Sequence, residues 1–296
     1  MTERRKKIFI FIGIEFVLNA LCSLPLFLLH AGQGSPQMLL ASVTAMFLPA
    51  ITTLITRRLT HDNRKLPLKL NLKRSYKQYL LAAFLPGVLI LCGATLYFAL
   101  FPEQLDLSLS YAKQFPAAGG QAVELPRLTV PVVVGLGLAI ALFAPLVFVN
   151  HVLAFGEEIG WRGFLLPLMA EELGVRKAVL LKGVLWGIVH APFVCFGLNY
   201  TGDYPGAPGT GILMMVVFAT SIGIFLSWLM LKSKSIFPAC IAHGVINAMR
   251  EAPLAVCTDA HNVLLGPKPS GIIGMAGFLI LAVVIFIRFP RSVEAS

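Results

Sequence analysis

Long apolar stretches separated by short polar ones dominate the chain. Stretches of about 18 residues or more with few charges can cross a ~30 Å hydrocarbon core as helices. They recur at 8–29, 37–56, 79–101, 130–155, 178–198, 209–231, 236–256 and 271–289. The pattern predicts an all-α polytopic bundle of about eight transmembrane helices, forming a single membrane domain over 1–296. The opening Met-Thr-Glu-Arg-Arg-Lys-Lys resembles the charged start of a signal peptide. The apolar run of about 22 residues behind it exceeds the usual h-region, so it is expected to stay as the first span.

Local breaks refine this pattern. Residues 130–169 are largely apolar and too long for one crossing, so Gly163 and Pro167 are expected to break or bend that segment near a charged cluster. The short 231–236 connection predicts an antiparallel pair of spans, and the Pro-, Gly- and Ser-containing stretch 102–129 reads as an external loop.

Charge supplies the orientation. Basic residues cluster at 4–7, 57–77, 176–182, Lys232 with Lys234, and Arg288 with Arg291, every one on the same side of the predicted spans. The positive-inside rule then puts both termini in the cytoplasm. The composition is 57% hydrophobic and 13% charged, with net charge +10, far from that of a soluble domain. The positive charge sits where it meets anionic lipid headgroups, and no basic face with interleaved aromatics is left for nucleic acid. The five cysteines are odd in number and scattered through apolar runs, reading as small core residues rather than disulfides or metal ligands.

Against this apolar background a few polar residues stand out. Phe155-Gly156-Glu157-Glu158-Ile159-Gly160-Trp161-Arg162-Gly163 puts two adjacent carboxylates in apolar surroundings, where an ionised group costs several kcal/mol unless paired. Glu158 and Arg162 are four apart, the favourable order for an ion pair on a helix, while Glu157 points about 100° away. That separates a supporting carboxylate from one free to act as a general base on water. The same charged residues would equally serve as an internal network holding the bundle.

Two later segments extend the set. His190 lies in Trp186-Gly187-Ile188-Val189-His190-Ala191-Pro192, and Pro192 cannot donate to the carbonyl of Ile188, so the helix should open there. His243 and Asn247 are four apart on one face. Counted from Lys182 and Lys234, both histidines lie roughly 12 Å in from the basic side. Gly187 and Gly244 should allow their helices to approach closely. An imidazole and a carboxamide on one face suit the stabilisation of an oxyanion, with Glu157 and His190 orienting and deprotonating a water. The alternative chemistry is a three-ligand zinc site of Glu157, His190 and His243. His151 reads as a structural histidine near the motif.

Taken in order, Glu157-Glu158-x-x-x-Arg162, the aromatic-x-x-x-His element ending at His190, and His243-x-x-x-Asn247 resemble the CAAX prenyl endopeptidase family, also called CPBP intramembrane proteases. The resemblance covers about 130–250, the expected catalytic core. It implies a helical bundle around a cavity and endoproteolysis of a membrane-associated peptide, prenylated in part of the family. By that similarity Glu157 matches the water-activating glutamate, His190 its partner, and His243 with Asn247 the oxyanion pair. Glu158 and Arg162 fill the remaining motif positions in support. Trp186 departs from the pattern, standing where phenylalanine is common, which is expected to alter cavity shape more than chemistry.

The family is often described as metalloproteases; the residues here favour glutamate-activated water without a cofactor, with zinc as the alternative. The competing reading of the same fold is a non-catalytic membrane scaffold or bacteriocin-immunity factor. A transporter would call for paired broken spans in matching halves, which the sequence lacks. The expected setting is the plasma membrane of a bacterium or archaeon, or the endoplasmic reticulum in a eukaryote.

Overall fold

The computed structural model describes residues 1–32, 34–113, 127–259 and 261–289. Residues 114–126 of the expected external loop, and Arg291, lie outside the described residues. The apolar runs become α1 (Glu3–Leu28), α2 (Pro36–Leu59), α3 (Leu72–Leu100), the short α4 (Ser110–Lys113), α5 (Val130–Phe143), α6 (Phe148–Glu158) and α7 (Leu166–Leu173). They are followed by α8 (Val175–Ile188), α9 (Ala191–Cys195), α10 (Gly209–Ser233), α11 (Phe237–Met249) and α12 (Ala276–Arg288). Among the described residues there is no strand, only an isolated antiparallel bridge between Leu105 and Cys257.

Local chemistry sets several helix starts. The Thr2 hydroxyl accepts from the Arg5 N–H, and the Ser35 hydroxyl from the Met38 N–H, with Pro36 at the first position of α2. Large apolar residues such as Leu28, Leu39, Leu138, Phe148 and Ile280 are exposed around the outside, as lipid-facing positions are.

Among the described residues five helical stretches are long and apolar enough to cross a membrane: α1, α2, α3, Val175–Cys195 and α10. The pair Val130–Leu146 and Phe148–Leu173, bent by 59°, makes a sixth if counted as one span. Eight were expected. The difference lies in α11 and α12, each 13 residues, about 20 Å at helical rise and short of the ~30 Å core. The backbone after α11 tightens into a 3₁₀ turn at Ala252–Val256, and residues 257–259 and 261–275 are irregular and bury Lys268 and Ser270. The run expected at 271–289 therefore becomes helical only from Ala276.

The bend expected at Gly163 and Pro167 falls earlier. Ala144–Leu146 is a 3₁₀ turn containing Pro145, and the axis changes direction there because proline supplies no N–H to the preceding turn. Pro167 instead is the second residue of α7 and does not interrupt the helix. Between α6 and α7 the helix continues as a π-helical segment, Ile159–Leu165, which keeps the axis running.

The close approaches also differ from expectation. An added Cβ at Gly187 would lie 2.5 Å from Val216 Cα, so this glycine admits α10; Gly244 is filled by the His151 ring of α6. The two histidine helices do not meet through these glycines. α11 touches α10, as the short connection requires, but packs chiefly between α3 and α6.

The basic loops do gather. At one end Arg5 pairs with Glu172, Arg64 with Glu171 at 3.1 Å and Lys7 with Asp62 at 2.6 Å, while Arg176 donates to the carbonyls of Ile287 and Phe289. At the other, the Tyr200 hydroxyl donates to Ser270 O and Lys268 pairs with Glu251 at 2.8 Å.

Candidate active site

Glu157 and Glu158 end α6, immediately before the π-helical segment that carries Trp161 and Arg162. All four side chains are buried, Glu158 and Arg162 completely. Arg162 Nη1 donates to Glu158 Oε1 at 2.8 Å, and His243 Nδ1, brought by α11, donates to the same oxygen at 2.9 Å. Glu158 Oε2 and Arg162 Nε and Nη2 are buried without hydrogen-bond partners among the described residues. The guanidinium is compensated on its flat face, where its carbon lies 4.1 Å from the Trp186 ring centroid. The adjacent carboxylate is therefore committed to structure.

Glu157 has different neighbours. The hydrogen bond its side chain makes among the described residues comes from the Trp186 indole N–H, to Oε2 at 2.6 Å. Glu157 lines a cavity of about 240 Å³ with His190, His243, Asn247, Trp161 and Trp186. α8 ends at Ile188 and α9 begins at Ala191. In this opening, the one expected from Pro192, the His190 N–H bonds Gly187 O and its Nδ1 donates to Trp186 O at 2.6 Å. Both histidines thus engage Nδ1, which leaves Nε2 for chemistry. The Trp186 ring meets both edgewise, with centroids 5.9 Å from His190 and 5.4 Å from His243.

Glu157, His190, His243 and Asn247 therefore share one cavity, and Glu158 and Arg162 lie behind it, joined to it through His243 and Trp186. Among the described residues no group of three or more His, Cys, Asp and Glu side chains is placed to hold a metal ion. Glu157, His190 and His243 do not form such a set in this structure. His151 lies outside the cavity, its Nε2 donating to Pro145 O at 2.8 Å.

Several residues of this region were missed or misread in the sequence. Trp186 contributes a hydrogen-bond donor as well as bulk. Lys182, which served as a marker of the basic boundary, is fully buried, its Nζ donating to Ser227 Oγ at 3.0 Å. Depths counted from it lose their reference point. Glu15 of α1 also lines the cavity, 1% exposed, accepting from Thr52 Oγ1 at 2.6 Å and Asn19 Nδ2 at 2.8 Å. The signal was available for both, since an ionisable residue inside an apolar span is itself a reason to look for a partner.

Residues 133–249 match the family model described as Type II CAAX prenyl endopeptidase Rce1-like. The resemblance is to the Rce1-like family. A curated relative named CAAX prenyl protease 2, from Methanococcus maripaludis, is 30% identical over 125 residues, covering 42% of this chain and 46% of its own length. The chain thus spans less than half the length of the curated relative it matches. The Rce1-like segment contains Glu157, Glu158, Arg162, His190, His243 and Asn247, and leaves Glu15 and its partners on α1 and α2 outside it.

Proposed function

We propose that the chain is an intramembrane endopeptidase of the CAAX prenyl protease type, cleaving a peptide bond in a membrane-associated, prenylated substrate. The observation that carries this is the unequal treatment of two neighbouring carboxylates. Glu158 has one oxygen shared by Arg162 and His243 and lines no cavity, whereas Glu157 has one oxygen held by Trp186 and lines the same cavity as His190, His243 and Asn247.

In this reading Glu157 takes a proton from a water that His190 Nε2 helps to orient, and the hydroxide adds to the substrate carbonyl. The oxyanion so formed accepts from Asn247 and from His243 Nε2–H. To donate from Nε2 while Nδ1 donates to Glu158, His243 carries both ring protons, and Glu158 supplies the opposing charge at 2.9 Å. The proton on Glu157 then passes to the departing amine as the C–N bond breaks. The catalyst is the carboxylate, without a cofactor. The basic end of the bundle faces the cytoplasm, and the membrane is the plasma membrane of a bacterium or archaeon.

The test is cleavage of a quenched prenylated peptide, beside an unprenylated control, by detergent-purified wild type and Glu157→Gln, each with and without a strong chelator. Chelator-resistant cleavage of the prenylated peptide, lost in the variant, is expected. Chelator-sensitive cleavage restored by zinc would replace the carboxylate mechanism with a metal one. A folded wild type that cleaves neither peptide would favour the scaffold reading.

A further inference from the structure

A single residue touches Glu157, Arg162, His190 and His243. The Trp186 side chain is 2% exposed, and its N–H is directed to Glu157 Oε2 at 2.6 Å. Its main-chain carbonyl, one helical turn before His190, accepts the His190 Nδ1–H at 2.6 Å. Arg162 covers the face of the ring at 4.1 Å, and His243 meets its edge at 5.4 Å.

We propose that Trp186 is the positioning residue of this site, registering Glu157 against His190 and keeping Glu157 out of the Arg162 ion pair. The first part follows from the two hydrogen bonds. One residue holds the carboxylate through its side chain and the imidazole through its backbone, so base and histidine share a rigid reference. Holding Oε2 leaves Oε1 of Glu157 as the oxygen to meet water.

The second part follows from the ring. Arg162 lies four residues beyond Glu158 and five beyond Glu157, but its flat face rests on the indole and its Nη1 is spent on Glu158. Glu157 feels this charge through space without a hydrogen bond to it, and a cation above the π face also strengthens the N–H donor at the ring's edge. A phenylalanine at 186 would give Arg162 the same surface and Glu157 no donor.

The inference rests on Glu157 as the base, and its test separates the two. The full chain is prepared with Trp186 replaced by 3-benzothienylalanine, which keeps the ring shape and has sulfur in place of N–H, and separately as Trp186→Phe. With the quenched prenylated peptide, kcat is expected to fall on the order of 10- to 100-fold, as for a displaced catalytic group. KM should stay within about two-fold, since the contact is not to substrate. The melting temperature of the benzothienyl protein should match wild type, which isolates the missing proton from any packing defect in the phenylalanine variant.

The second readout is the indole ¹⁵N–¹H resonance of Trp186, identified by its absence in Trp186→Phe and expected to move in Glu157→Gln, where a neutral amide replaces the carboxylate. An unchanged kcat in the benzothienyl protein, or a resonance indifferent to Glu157→Gln, would overturn the proposal. If Glu157→Gln is inactive while the benzothienyl protein is fully active, Trp186 alone loses its role. If Glu157→Gln cleaves like wild type, the base assignment and this inference fall together.

Discussion

Glu157 and Glu158 are neighbours in sequence, at the end of the same helix and both buried, yet they have opposite surroundings. Glu158 faces a cation, an imidazole and no cavity; Glu157 faces an indole N–H and a cavity shared with His190 and Asn247. A helix turns about 100° per residue, so adjacent side chains are handed to different partners. The lesson is that burial by itself does not mark a reactive carboxylate. What sets Glu157 apart from Glu158 is the open space beside it, with an indole N–H in place of a cation as its partner.

The largest expected effect would break or keep this contrast directly. Glu157→Gln should lower peptide cleavage by up to about 10⁴-fold, the upper range for a positioned general base, while leaving the melting temperature near wild type. Glu158→Gln should do the reverse. It leaves Arg162 charged and buried, at a cost of about 3–5 kcal/mol, read as early loss of folded protein in detergent melts. If both variants are stable and equally inactive, the division of labour is wrong.

A smaller effect sharpens the cavity side. Asn247→Ala should reduce kcat by about 10²- to 10³-fold, the range seen when one oxyanion donor is removed, with an unaltered melt. A loss confined to KM would make Asn247 a substrate-binding residue instead.

The smallest lies at the basic end, far from the cavity. Burial pushes the Asp62 carboxyl up, but the Lys7 hydrogen bond, the Arg64 N–H and both positive charges outweigh it and hold the group below its usual range. Because the folded value is the lower one, the stabilisation is full above the ordinary aspartate range and is lost as pH falls through the folded value. Asp62→Asn should therefore lower the melting temperature slightly at pH 6, by about 1 kcal/mol or less. It should also flatten the dependence of melting on pH towards 3. Parallel curves for the two proteins would show that the Lys7 pair contributes nothing.

How far the molecule was readable varied with the range of the information needed. Helices follow from runs of apolar residues, a local property, and the first five long spans lie close to where the pattern puts them. The Glu158–Arg162 pair is legible because four residues is one helical turn. The gathering of Arg5, Arg64 and Arg176 at one end is legible from the alternation of basic loops. The bend was misplaced because three breakers, Pro145, Gly163 and Pro167, compete, and only packing decides which one the chain uses. The neighbours of Gly187 and Gly244 were misassigned for the same reason: a gap left by a missing side chain does not say which helix fills it. Trp186 was read as bulk because its donor acquires a meaning only when α8 is laid beside the end of α6. Lys182 was read as a surface lysine because nothing in its own segment reveals Ser227 on α10.

The π-helical segment at Ile159–Leu165 carries one more implication. Such a turn is an α-helix with an extra residue accommodated in it, so the spacing of this site is a matter of chain length as well as of residue identity. Deleting one residue between Glu158 and Arg162 could keep all three residue types and turn the segment back into α-helix, while the spacing of Arg162 from Glu158 falls from four to three and the guanidinium is re-aimed relative to the carboxylate and the indole. A comparison of sequences that scores only whether those residues are present would call such a chain intact, although its ion pair and the cation over the indole would have shifted.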